Sequence, residues 1–425
     1  MRVVYLGINY WPDQTGIAPF ATGRCEYLAA QGHQVVACVG LPYYPRWRVP
    51  DKYRRRPFSS ERRNGVTILR SWMYVPRDPT PLRRILHESS FIVSSLGRAL
   101  CRARPDLLFV TSPPLGLGAA AIALGRLWRV PYVLHVADLQ PDAALDLGML
   151  RQGRLIKAFY RLEGAAYRNA TLVSTLTDAM RRRIIAKGVE SEKVTLFSDW
   201  VEPRLFSIKP PGKCRAAASG APFVVAHFGN MGVKQGLRVV LEAARATRGD
   251  AGITYLLVGD GAARASLEAV ALEWHLSNLR FLPLQPPERF LQLLADSDVC
   301  LVTQQRSVAD IVFPSKVITL LAAARPIVAS VGAHSEVARV VARSQAGLVV
   351  APEDPHALAG AVARLRADPA LAARMGQMGR AYALAHWERE TVLRSTAKRL
   401  AAAWGGKRVS LDARAGKADR LQRST

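Results

Sequence analysis

Apolar residues run along the chain in short unbroken stretches, at 3–8, 34–39, 66–69, 107–110, 132–136, 171–174 and 194–197. Continuous apolarity over so short a span marks strands buried on both faces, hence a parallel sheet covered by helices. Longer Ala/Leu/Arg segments with helical spacing separate the stretches. From 209 to 220 the sequence Lys-Pro-Pro-Gly-Lys-Cys-Arg-Ala-Ala-Ala-Ser-Gly breaks both periods and reads as a linker. The pattern then restarts at 223–228, 254–258, 279–282, 299–303, 326–329 and 347–350, alternating with helical segments such as 236–247 and 262–274. The expected class is α/β, with two Rossmann-like parallel-sheet domains facing each other across a cleft and ligands at the carboxyl ends of the strands. The boundaries predicted are 1–205 for the first domain, 206–221 for the linker and 222–385 for the second. A helix over 386–404 is expected to pack back on the first domain, ahead of a mobile basic tail at 405–425.

Two loop-to-helix turns in the second half carry phosphate chemistry. In Phe313-Pro-Ser-Lys, Pro314 opens a helix whose first turn offers free amides, and Ser315 and Lys316 add a hydroxyl and a full positive charge. A proline in the first turn of a buried Leu/Ala helix would read the same way. Upstream, Phe228-Gly-Asn-Met-Gly-Val-Lys-Gln-Gly follows a buried strand. Gly229, Gly232 and Gly236 let the backbone approach a ligand, and Lys234 can reach it. In the first half, His135 and Asp138 follow the strand at 132–136 and either position an acceptor or transferred sugar, or serve as a core histidine and a helix cap. Asp142 and Asp146 read as solvated helix residues. Asp296-Ser-Asp298 invites a metal reading, but a turn between helix and strand explains it, and no His or Cys cluster competes.

A chain of 425 residues exceeds one ordinary core. Its formal net charge of +26 points to phosphate on nucleic acid, anionic lipid or a charged substrate, unless it reflects only the arginine habit of a GC-rich genome. Positive charge gathers over 46–63 and 81–104. In the latter, Ile85, Leu86, Ser89, Ile92, Val93, Leu96 and Leu100 share a helical stripe, with Arg84, His87, Arg98 and Arg102 largely off it. Such a helix either lies on a membrane surface or turns its stripe to the core. Cys25, Cys38, Cys101, Cys214 and Cys300 form no close pairs, as expected of reduced cytosolic thiols. The opening residues carry no signal-peptide pattern. The most apolar long stretch, 115–124, falls short of the roughly 20 residues that span a bilayer.

The opening Tyr-Leu-Gly-Ile-Asn-Tyr-Trp-Pro-Asp-Gln-Thr-Gly-Ile-Ala-Pro at 5–19, the segment His-Val-Ala-Asp-Leu-Gln-Pro-Asp-Ala-Ala-Leu-Asp-Leu-Gly at 135–148, the glycine turn at 229–236 and Pro314-Ser-Lys resemble a family 4 glycosyltransferase of the GT-B fold. The likeness is greatest to its colanic-acid and O-antigen branch and covers about residues 1 to 400. It implies a first domain that takes a lipid-linked or polysaccharide acceptor. It implies a second domain that holds a nucleotide diphosphate sugar as substrate, and retaining transfer with no cofactor or obligatory metal. Gly16 corresponds to the loop glycine that approaches the donor phosphate, Pro314, Ser315 and Lys316 to the diphosphate contacts, and the backbone at Phe281 and Leu282 to the place where the base is read. Gly229, Asn230, Gly232 and Gln235 fall in the donor loop. Thr319 stands where many relatives have a ribose-binding acid. Asn230 stands where an arginine is common, and Lys234 lies one residue before the usual lysine column, now Gln235. Lys316, Lys234, His135 and Asp138 are the candidate catalytic residues. The resemblance implies a cytoplasmic enzyme, peripheral on the membrane. Two rivals stay open: a GT-B enzyme that isomerises or hydrolyses nucleotide-sugars, and a basic nucleic-acid-binding protein, which lacks any recognisable motif.

Overall fold

The computed structural model describes residues 1–101, 103–146, 153–209, 221–307 and 316–422. The chain forms two compact units, one of Met1–Asp199 with Val392–Thr425 and one of Trp200–Thr391.

In the first unit the elements run β1 (Arg2–Gly7), α1 (Ala18–Ala30), β2 (Gln34–Gly40), α2 (Asp51–Arg54), β3 (Ser59–Arg63), β4 (Val66–Ser71), α3 (Pro81–Leu100) and β5 (Leu107–Ser112). They continue with α4 (Leu117–Trp128), β6 (Tyr132–Val136), α5 (Gln140–Asp146), α6 (Arg154–Asn169), β7 (Leu172–Thr175), α7 (Asp178–Ala186) and β8 (Val194–Leu196). Eight strands form one sheet in the order β3-β4-β2-β1-β5-β6-β7-β8. Successive side chains along a strand alternate between the two faces. Val4 and Leu6 accordingly join one apolar cluster, and Val3 and Tyr5 another. Every residue of β5 is buried, as expected of a strand covered on both faces. Burial of each such Leu or Val contributes about 1.5–3 kcal/mol.

Strand β3 was not expected. Its sequence Ser-Ser-Glu-Arg-Arg has no apolar run, because it is an antiparallel edge strand with one face in water, registered Ser59↔Arg70 to Arg63↔Val66. The turn beyond it is Asn64-Gly65, both at positive φ (46° and 80°), a hairpin pair that matches strand twist.

The second unit contains β9 (Phe223–Phe228), α8 (Arg238–Ala246), β10 (Ile253–Val258), α9 (Arg264–Glu273), β11 (Leu279–Leu282), α10 (Pro287–Asp296) and β12 (Val299–Thr303). It ends with α11 (Lys316–Ala322), β13 (Ile327–Ser330), α12 (Glu336–Ser344), β14 (Gly347–Val350), α13 (Pro355–Ala367) and α14 (Pro369–Trp387). The six strands are parallel, in the order β11-β10-β9-β12-β13-β14. Helices α13 and α14 each start with proline behind an aspartate whose side chain accepts an amide of the first turn, at 2.9 Å from Ala357 N to Asp354 and 2.9 Å from Leu371 N to Asp368. Such caps contribute about 1 kcal/mol each.

This unit begins at Trp200, where the sequence suggested a linker over 206–221 and a second domain from 222. Val201, Leu205 and Ile208 are buried with Ala226 and Phe228, and Val201 N donates to Trp387 O at 2.9 Å. Residues 210–220, the core of the expected linker, lie outside the described residues. The last helix, α15 (Arg389–Gln422), buries Leu400 and Ala403 against Val3, Tyr5 and Leu28 of the first unit. Its backbone stays helical to Gln422, where a mobile tail was expected from 405.

Candidate functional site

In the second sheet the strand order runs outward in both directions from β9 and β12, so the crevice expected to hold a ligand opens at the carboxyl end of β9. The chain leaves β9 at Gly229, with φ of 111°, and its amide donates to Val258 O at 2.8 Å. The loop after β10, Gly259-Asp260-Gly261, lies directly against this turn. A β-carbon on Gly259 would fall 1.9 Å from Gly229 O, and one on Gly261 would fall 2.5 Å from Asn230 Oδ1. Only glycine permits that approach. The Gly-x-Gly directly behind a strand was the signal for this second loop, which sequence reasoning missed. A 3-10 turn, Val233–Gln235, follows and closes at Gly236 with φ of 57°. The turn is fastened to the end of β12. Thr303 Oγ1 donates to Gln235 O at 2.7 Å, and Gln305 N donates to Lys234 O at 3.0 Å.

Lys316 opens α11. Its Nζ is buried and has no hydrogen-bond partner among the described residues. Burial pushes its pKa down to about 8. His227, in β9, is fully buried, and both its ring nitrogens lack partners. Burial holds its pKa well below the usual histidine range and the Lys316 charge lowers it further, while the Asn230 backbone offsets part of the shift. The start of α11 and the carboxyl end of β9 are therefore within electrostatic reach of each other. An ammonium buried without an anion is an arrangement a bound anion would relieve.

Asn230, Gly232 and Gln235 lie in this loop, half-buried or exposed, and the Lys234 side chain is exposed on the same turn. Thr319 is half-buried one helical turn after Lys316. Phe281 and Leu282 are half-buried in the edge strand β11, with Leu282 O committed to Gly259 N at 3.0 Å. Pro314 and Ser315 lie outside the described residues. Asp298 is structural: its Oδ2 accepts Val224 N at 2.8 Å and joins β12 to β9.

In the first unit Gly16 is exposed at φ of 65° just before α1. His135 is 1 % exposed, its Nδ1 lies 3.1 Å from Ser174 Oγ, and its ring stacks on Phe197 at 6.0 Å. Burial, with the Arg24 charge second, holds its pKa well below the usual range. Its Nε2 is buried with no hydrogen-bond partner among the described residues. Asp138 is half-buried ahead of α5 and already engaged. Asp142 is no free solvated residue either: it pairs with Lys187 and accepts Tyr160 OH at 3.3 Å. On α3, His87, Phe91, Ser95 and Ala99 are buried, which corrects the placement of His87 off the packed stripe. Leu82, Ile85, Leu86, Val93 and Leu100 remain exposed beside Arg83 and Arg84. Among the described residues no helix is long and apolar enough to cross a membrane, and no group of three or more His, Cys, Asp or Glu could hold a metal.

The two parallel α/β units have the fold of the GT-B glycosyltransferases. Sucrose-phosphate synthase from Thermosynechococcus elongatus superposes with a TM-score of 0.71 at 18% identity, over 95% of this chain and 99% of that one. Anabaena HepE, solved in complex with UDP, gives 0.66 at 17% identity over 95% and 100%. Residues 15–200 match the Glycosyl transferase 4-like domain and residues 222–368 the Glycosyl transferases group 1 family. An Escherichia coli (strain K12) protein whose name assigns it to colanic acid biosynthesis as a glycosyl transferase, WcaI, is 33% identical over 404 residues, 93% of this chain and 98% of that protein. The chain belongs to the family 4 glycosyltransferases and is a glycosyltransferase.

Proposed function

We propose that the enzyme moves a hexose from a nucleoside diphosphate sugar, with retention and without a required metal, to a lipid-linked or growing surface polysaccharide. The observation that carries this reading is the buried, partnerless Lys316 beside the end of β9. Glycosyl transfer charges the leaving diphosphate while the anomeric carbon turns cationic. A fixed ammonium facing the diphosphate stabilises that transition state more than the ground state. Lys316 supplies the charge, and the backbone of the Gly229–Gly236 turn approaches the phosphates, with exposed Lys234 within reach of the same loop. In a same-face reaction the acceptor hydroxyl gives its proton toward the departing phosphate, so no carboxylate nucleophile is needed. The HepE neighbour was solved with UDP, which makes uridine donors the first to test. The colanic acid relative supports a surface polysaccharide as product. The exposed apolar and arginine residues of α3 support docking on an anionic membrane, the cytoplasmic face being the side where nucleotide sugars are made.

A panel of nucleotide sugars is incubated with and without polyprenyl-linked acceptor, in the presence of a chelator. Nucleotide release that depends on acceptor and survives chelation is the expected result, with the product's anomeric configuration equal to the donor's. Epimerisation or release independent of acceptor would replace transfer by isomerase or hydrolase chemistry.

A further inference from the structure

The mechanism proposed above leaves one buried titratable group beside Lys316 unused, His227 of β9. Successive residues of a strand alternate between faces, so His227 shares its face with Phe223 and Val225, and it lies opposite Leu257 of β10 in register. The apolar residues of that face pack with Met231 and Leu237, which flank the glycine turn, and with Val240 of α8 and Leu301 of β12. The imidazole thus stands in apolar surroundings one residue before the turn begins, and it is fully buried. A hydrophobic side chain would fill such a place at lower cost than a ring with two polar nitrogens.

After burial, two groups act on the ring: the Lys316 charge lowers its pKa and the Asn230 backbone raises it. Only an acceptor favours the protonated ring, so the Asn230 group concerned is its carbonyl. No hydrogen bond joins the two, so the carbonyl is near the ring without closing on it. The same peptide unit is held from its far side, where Met231 N donates to Asp260 O at 2.8 Å. The other charged side chains around the turn are directed elsewhere. Lys234 is exposed, Arg238 pairs with Glu242 at 3.1 Å, Arg264 donates to Glu268 at 2.8 Å and to Gly259 O at 2.9 Å, and Asp260 Oδ1 accepts Gly261 N at 2.8 Å. Among the described residues Lys316 is therefore the charge that sets the state of His227. Two like charges buried together without an anion keep the ring neutral. The diphosphate of a nucleotide sugar carries more negative charge than Lys316 carries positive, so a bound donor reverses the local sign and favours the charged imidazole.

We propose that His227 is a positioning residue: it takes up a proton from solvent when the donor diphosphate binds, and the charged ring then donates to the Asn230 carbonyl and fixes the glycine turn under the phosphates. The proton returns to solvent when the nucleotide leaves. The inference rests on the assignment of Lys316 to the diphosphate made above. Isothermal titration calorimetry of the full chain tests it, with UDP-glucose and GDP-mannose as probes, because neither titrates between pH 6 and 8. Measured in buffers of different ionisation enthalpy, it counts the protons taken up per donor bound. At pH 6 Lys316 is already charged, so uptake there reports His227, whereas at pH 8 Lys316 contributes as well. The native protein should take up about half a proton at pH 6, and its affinity should fall about threefold between pH 6 and 7. His227→Gln keeps a donor for the Asn230 carbonyl but binds no proton. It should show no uptake at pH 6, an affinity flat across that interval, and retained uptake at pH 8. No uptake by the native protein at pH 6, or equal uptake by the variant, overturns the proposal. If the variant does not fold, NMR of the ring nitrogens in the native chain decides: a histidine neutral in the free protein at pH 6 must become charged with donor, and the absence of such a ring overturns it equally. No uptake by the native protein at pH 8, or no binding of either probe, would instead remove the Lys316 reading and this one with it.

Discussion

Replacing Lys316 by methionine should move stability and nucleotide binding in opposite directions. Methionine keeps the length of the side chain and removes its charge. An amino group held at about 8 in the folded chain, against 10.5 when exposed, has lost about 3 kcal/mol of preference for its charged form. At pH 7 the folded protein carries that handicap almost in full, so Lys316→Met should be more stable than the parent by about 1–3 kcal/mol, 3 being the ceiling because the site relaxes around the charge. The sign with pH follows from the lowered value. Between pH 8 and 10.5 the unfolded chain binds more protons at this group than the folded one, so the handicap fades as pH rises through that window. The anion's benefit runs the other way, because only the ammonium pairs with diphosphate and affinity should fall as pH rises above about 8. In thermal unfolding at pH 7, 8 and 9, UDP at 100 times its dissociation constant should stabilise the native protein by about 2.7 kcal/mol. The gain should shrink at pH 9, and the variant should show none at any pH. A variant that is less stable without nucleotide, or that UDP stabilises as well as the parent, refutes the assignment of Lys316 to the diphosphate.

Two further outcomes follow from the packing. Gly259→Ala places a β-carbon 1.9 Å from Gly229 O at a φ of 148°, and urea unfolding should show a loss of about 2–4 kcal/mol together with loss of UDP binding. A change below half a kcal/mol would mean that the two loops are not in contact. On α3, Leu82 and Val93 are 68% and 73% exposed beside arginines. The native chain should therefore sediment with phosphatidylglycerol vesicles at low salt, and a Leu82→Glu, Val93→Glu double variant should not. No sedimentation of the native chain at low salt would remove the membrane docking.

The inner strands of the second sheet were legible because they are apolar on both faces, as β12 is buried throughout, a pattern that tertiary context does not disguise. Strand β3 was hidden for the converse reason. An edge strand exposes one face, and only the Asn64-Gly65 turn betrayed it. His87 shows the limit of periodicity: the stripe on α3 was drawn through apolar residues, whereas the packed side includes His87 and Ser95, admitted because Nδ1 finds the Tyr74 carbonyl and Ser95 Oγ finds Ile92 O at 3.1 Å.

The same distinction separates the two halves of the candidate site. The glycine turn and Lys316 could be read from sequence because the backbone demand is local: a positive φ at Gly229, a close approach, a charge at a helix start. The burial of that ammonium has no local signature, since Lys316 looks like any lysine at a helix start until the sheet brings α11 near His227 in β9. A hydrophobic group of the same shape would cost less there than an unpaired charge, so stability does not account for it, whereas a bound anion would.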